Sequence, residues 1–158
     1  MFKLSSLKYV FFITICLSLS SPASAQFPDQ YNIVWTSPSQ NSAASMPCGG
    51  RDIGLNVWVE DGDILFYIQR SGSIAETNEY LKLGRIRLKL DPNPFADPNA
   101  EFRQQLKLRQ GYIEIHGKSK AQSAEATVRV WTEIYRPLIR VEIDSPDPVS
   151  ANVAYENW

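Results

Sequence analysis

The sequence predicts an all-β protein built as an antiparallel β-sandwich, and three observations carry that expectation. Stretches rich in Val, Ile, Leu and aromatic residues alternate apolar with polar side chains at the two-residue period of a strand. Glycine, proline, asparagine and aspartate punctuate the intervals between them. No segment carries the apolar spacing of an amphipathic helix. About nine short strands separated by turn chemistry point to a sandwich or barrel.

In chain order, residues 1–25 read as an export signal. Lys3 and Lys8 supply the positive start. Tyr9 to Leu19 supply the apolar run, and Pro22-Ala23-Ser24-Ala25 supplies the small-residue cleavage pattern. The apolar run is shorter than the roughly 20 residues of a membrane-spanning helix. Ile15 also stands before Cys16, where a lipoprotein signal wants a small residue. A secreted or periplasmic protein is expected, with no membrane attachment after cleavage. Cleavage removes two lysines and no acid from a chain of net charge −1, so the mature domain, residues 26–158, is mildly acidic. It lacks the basic stripe of a nucleic-acid binder. Cys48 is the one cysteine left, so packing and hydrogen bonds, not an internal disulfide, must hold the fold.

Tyr31 to Thr36 has the composition of a short strand, and residues 37–45 form a polar loop. Met46-Pro47-Cys48-Gly49-Gly50-Arg51-Asp52-Ile53-Gly54 then reads as a glycine-rich loop feeding the most apolar hairpin of the chain. Leu55, Val57 and Val59 alternate with Asn56, Trp58 and Glu60, and Asp61-Gly62 is a two-residue turn. The return strand, Ile64 to Ile68, is apolar on both faces and so should be covered on both. Ile74 to Leu81 has room for a helical turn, without a signal that enforces one. Ile86, Leu88 and Leu90 then oppose Arg85, Arg87 and Lys89, and three prolines between Asp91 and Asn99 end the pattern.

Phe102, Gln104, Leu106 and Leu108 share the next apolar face, with Gln110-Gly111 as the turn into Tyr112 to Ile115. Lys118 to Ser123 reads as a polar connection. Strands follow at Thr127 to Thr132, Leu138 to Ile143 and Val149 to Tyr155. The chain stops at Trp158, just past the last strand, which points to a domain cut from a longer product.

Gly49 to Gly54 lacks the Lys-Ser/Thr ending of a phosphate loop and any following helix. His116 is the sole histidine, which with one surviving cysteine cannot complete a zinc set. No metal, cofactor or catalytic set is therefore assigned. Sugar hydrolysis needs two carboxyl groups about 5–10 Å apart, and no spacing singles out a pair among Asp52, Glu60, Asp61, Asp63, Glu114 and Glu142. The oxygen-rich run Asp91, Asn93, Asp97, Asn99, Glu101 suits calcium less well than a rigid proline turn. Arg85, Arg87, Lys89, Arg103, Lys107 and Arg109 make a solvated cationic face, paired across strands with acids such as Glu114 and Glu142.

Tyr31 to Pro38, Ser45 to Gly50, Asp52 to Val59, Asp63 to Ile68, Leu81 to Arg87, Pro92 to Phe95, Phe102 to Leu108 and Val128 to Trp131 together resemble the N-terminal part of a family of exported bacterial proteins, domain of unknown function 5703. More distantly, Met46-Pro47, Gly49 and Gly54 ahead of an apolar hairpin are similar to the opening of glycoside hydrolase family 95, the α-L-fucosidase and α-L-galactosidase group. That likeness implies an N-terminal β super-sandwich followed by an (α/α)6 barrel, where the catalytic carboxylates reside. Gly50 stands where that group has asparagine, and Arg51 where a third glycine is usual. No catalytic residue of the group maps onto this chain.

The expected function is the non-catalytic N-terminal sandwich of an exported glycan-degrading protein, with its missing C-terminal domain as partner. The alternative is an independent carbohydrate-binding or cell-surface module using exposed aromatics such as Trp58, Trp131 or Tyr135. Gly49, Gly50, Arg51, Asp52 and Trp58 are the candidates for a substrate rim or domain interface.

Overall fold

Strands form wherever the alternation runs. Residues 29–157 are those described by the structure, a computed structural model. The expected export signal lies outside them, as does Trp158. The strands are β1 (Ile33–Trp35), β2 (Met46–Gly50), β3 (Ile53–Glu60), β4 (Asp63–Arg70), β5 (Gly84–Asp91), β6 (Glu101–Lys107), β7 (Tyr112–Ser119), β8 (Ala124–Thr132), β9 (Ile139–Asp144) and β10 (Ser150–Glu156). One sheet has the order β1-β6-β7-β8-β9 and the other β10-β5-β4-β3-β2, with every neighbouring pair antiparallel. The two sheets pack face to face as a β-sandwich.

The core is built in cross-strand rows. Met46, Val57, Phe66 and Ile86 form one row, and Val59, Ile64 and Leu88 form another. Ile113, Ile115, Val128 and Val130 answer from the facing sheet, and all four are fully buried. Gln104 is the polar member of that core. Its Nε2 reaches across the sandwich to the Val57 carbonyl at 3.1 Å, so the buried amide is partly satisfied and ties one sheet to the other. The Asp61-Gly62 turn forms as expected, with both residues at positive φ (51° and 83°).

Three expectations are corrected. The stretch read as a glycine-rich loop is mostly strand: Met46–Gly50 pairs with Ile53–Val57, and the turn is only Arg51-Asp52. Ile74 to Leu81 forms no helical turn; Ile74 bridges Tyr80 in a small antiparallel loop with Asn78 at positive φ. The polar connection at Lys118 begins later, because β7 runs on to Ser119, whose buried hydroxyl donates to Asp97 at 2.8 Å.

Candidate functional site

Gly50 marks the corner where β2 crosses the end of β8. A Cβ on Gly50 would stand 2.6 Å from the Thr132 hydroxyl oxygen and 3.5 Å from Ile134, so this approach excludes any side chain. Arg51 follows with φ of 56°, and its guanidinium donates to the Tyr135 carbonyl at 2.5 Å. Asp52 turns the other way and accepts from Arg70 at 2.8 Å. That hydrogen bond is the main reason its carboxyl sits below the usual range. Arg51 and Asp52 thus bolt the β2–β3 hairpin to the β8–β9 connection and to β4.

Gly49 points to the outer face of its sheet, opposite Gly54. Trp58 shares that outer face but is fully buried, which removes it from any set of exposed aromatics. Its indole N–H donates to Glu60 at 2.7 Å, and its ring lies 4.9 Å from the Tyr67 ring. Leu65, beside it in the ladder, is also buried, so the apolar return strand is covered on both faces where it meets Trp58.

Most acids on the sheet faces are tied to cations. Glu156 takes hydrogen bonds from Arg87 and Arg85, both at 2.6 Å, and Arg87 also reaches Asp63 at 2.7 Å. Glu133 takes them from Arg136 and Arg140. These contacts hold Glu156 and Glu133 below the usual carboxylate range, Arg87 and Arg136 being the leading causes. Lys107 of the cationic row reaches Glu114 at 3.5 Å as expected, while Arg129 of β8 links Glu114 and Glu142. In the oxygen-rich run, Asn93 accepts from the Phe95 amide and donates to the Gly62 carbonyl, while Asp97 caps the Asn99 amide. Turn construction occupies these oxygens. His116 contacts Thr127 at 3.2 Å on the open side of β7. No cluster of metal-ligating side chains forms among the described residues.

A family model for the N-terminal domain of DUF5703, described as a domain of unknown function, matches residues 34–158. The chain belongs to the DUF5703 family. No curated protein matches it.

In this DUF5703 domain the matched region spans both sheets, and its last two strands differ from the rest. β9 and β10 are each one edge strand of their sheets, with β1 and β2 at the other edges, and are joined by the 145–149 connection. Their core-facing rows are only partly covered: Ile139 and Ile143 of β9 still pack against the core, while other positions are open. Along one row Val59, Ile64 and Leu88 are buried, but Val153 is 63% exposed. Along the next, Met46, Val57 and Phe66 are buried, but Tyr155 is 59% exposed. In the facing sheet Ile113 and Val130 are buried, while Val141 is 41% exposed. Leu138, Ile134 and Tyr135 are exposed around the β8–β9 connection, beside Gly50 and Arg51 and so at the edge of the second sheet opposite β10. Of these positions only Tyr135 was singled out from sequence, as an exposed aromatic. The regular alternation of β9 and β10 was the available signal, since it promises a buried face that Val141, Val153 and Tyr155 leave open.

Proposed function

We propose that this domain is the non-catalytic N-terminal β-sandwich of an exported, glycan-degrading protein of the glycoside hydrolase 95 type. It docks through the open rows of β9 and β10 onto a further domain of the same polypeptide, which carries the catalysis. The carrying observation is the fall in burial from Val59 to Val153 along a single row. An apolar row that is core in three strands and bare in the fourth is half an interface. The family assignment supports that occupant, since the matching model describes an N-terminal domain. The acids support the non-catalytic part. Glycoside hydrolysis needs a carboxyl held protonated by a raised pKa, whereas Asp52, Glu133 and Glu156 are each pushed down by arginine.

The test is hydrogen exchange on this chain and on the product of the complete reading frame, with hydrolysis of α-L-fucosides measured alongside. Protection of β9 and β10 should rise in the longer protein, and hydrolysis should need the longer protein. Unchanged exchange there, or a stop codon directly after Trp158 in an intact gene, overturns the reading.

The second reading, an independent carbohydrate-binding or cell-surface module, draws on Tyr135, which is 82% exposed. Trp58 no longer supports it. It predicts glycan binding that Tyr135→Ala abolishes.

A further inference from the structure

A shallow groove of about 370 Å³ crosses the outer face of β2, β3 and β4. Its floor is bare main chain. Gly49 stands opposite Gly54, and Gly54 opposite Gln69, so two of the three residues in that row have no side chain. The neighbouring row, Pro47, Asn56 and Tyr67, makes the wall. Lys82 leans in from the segment before β5, its ammonium 4.7 Å from the Tyr67 ring centroid.

The lining contains no carboxylate. Asn56 and Gln69 are exposed, and among the described residues neither side-chain amide has a hydrogen-bond partner. Lys82 likewise has no carboxylate partner among them. Two free primary amides present donors and acceptors side by side, which is how vicinal hydroxyls are held. An ammonium without a counter-ion favours an anion and repels a cationic ligand. Tyr67 is packed by Trp58 and Lys82, so it serves as a fixed wall and not as a bare stacking plate for a nucleobase. The β3 and β4 main chain beneath is already paired on both sides, so a peptide cannot add there as a strand.

The geometry points to a binding site for an acidic saccharide. Its carboxylate or sulfate meets Lys82, its ring hydroxyls meet Asn56 and Gln69, and its apolar C–H face lies on the glycine floor. The choice of a saccharide among polyhydroxy anions rests on the glycan-degrading reading above, but the site does not involve β9 or β10. Failure here and failure of docking are therefore read by separate measurements.

The experiment is calorimetric titration of the purified protein with oligogalacturonate, with a sulfated fucan oligosaccharide, and with a neutral cello-oligosaccharide. One of the acidic ligands should bind, more weakly as salt rises, and which one binds tells carboxylate from sulfate. Gly54→Val is the decisive variant. A Cβ at Gly54 meets nothing within 4 Å, so the valine stands in the groove without disturbing the sheet. Binding should fall about tenfold or more while the thermal midpoint holds or rises. Lys82→Gln should weaken binding several-fold and flatten its salt dependence. Absence of binding by both acidic ligands overturns the proposal. So does a folded Gly54→Val protein that binds as the parent does, or a neutral ligand that binds as tightly as the acidic ones.

Discussion

Val59→Ala and Val153→Ala should differ severalfold in their cost to stability, although the two valines lie in one cross-strand row. Val59, Ile64, Leu88 and Val153 follow one another across β3, β4, β5 and β10. The chemistry removed is the same. The main difference is cover, at 0% against 63% exposure, with β3 an inner strand and β10 an edge strand. Two buried methyl groups are worth about 0.8 kcal/mol each in transfer. With the cavity left behind, Val59→Ala should cost about 2–3 kcal/mol. Val153 has only about a third of its surface covered, so its truncation should cost about 0.5 kcal/mol by the same transfer arithmetic. With a urea m value of about 1–3 kcal/mol/M for a domain of this size, Val59→Ala moves the midpoint by roughly 1–2 M and Val153→Ala by a few tenths. Equal shifts would refute the burial gradient, and with it the open face proposed for docking. If docking is right, the cost of Val153→Ala should climb toward that of Val59→Ala in the longer protein.

Three other outcomes follow from single contacts. The β10 strand is clamped by Glu156, whose carboxyl is held low by Arg87 and then Arg85. Because the folded pKa lies below the ordinary one, stability from this clamp is complete above that ordinary value and lost as pH falls through the depressed one. The protection factors of the β10 amides, corrected for the intrinsic pH dependence of exchange, should therefore fall below pH of about 4–5, and Glu156→Gln should show the reduced protection already at neutral pH. Gly117→Ala places a Cβ 2.5 Å from the buried Phe95 ring, so it should cost about 1–3 kcal/mol in urea denaturation. Thr132→Val should stabilise the domain by about 1 kcal/mol, since the buried Thr132 hydroxyl has no hydrogen-bond partner among the described residues and valine is nearly isosteric; a fall in midpoint would mean that the hydroxyl does find a partner.

The sandwich was legible because alternation is a local signal: Leu55, Val57 and Val59 declare their face without knowing what lies opposite. The β2 strand was not, because Pro47, Gly49 and Gly50 have the composition of a turn. They are held extended by pairing with β3 on one side and by the close crossing of β8 at Thr132. That is tertiary override of local propensity. Of the candidate site residues, Gly50, Arg51 and Asp52 come together at one corner, where they bind within the domain. Trp58 lies two ladder rows beyond the glycine floor and is buried. Its aromatic character in sequence could not distinguish a sugar platform from an outer-face core residue, because only the neighbours Leu65 and Tyr67 settle that.

Gly54 is the position where folding alone leaves the residue type unexplained. Gly50 and Gly117 each face an atom that a Cβ would strike, so the sandwich requires them. Gly54 faces open space, in the interior of a strand, with no positive φ. Glycine there weakens the strand relative to valine or threonine, through chain entropy and lost cross-strand contact. A stability cost at a site without a steric need is the expected mark of a surface kept clear for something else. Beside Gly54 lie two amides and an ammonium that have no hydrogen-bond or carboxylate partner among the described residues. Two rows from Gly54, Trp58 and Leu65 close the same sheet face completely. The outer face of β3 and β4 is therefore sealed at the Trp58 row, where packing serves the fold, and open at the Gly54 row, where an unfilled floor serves a ligand.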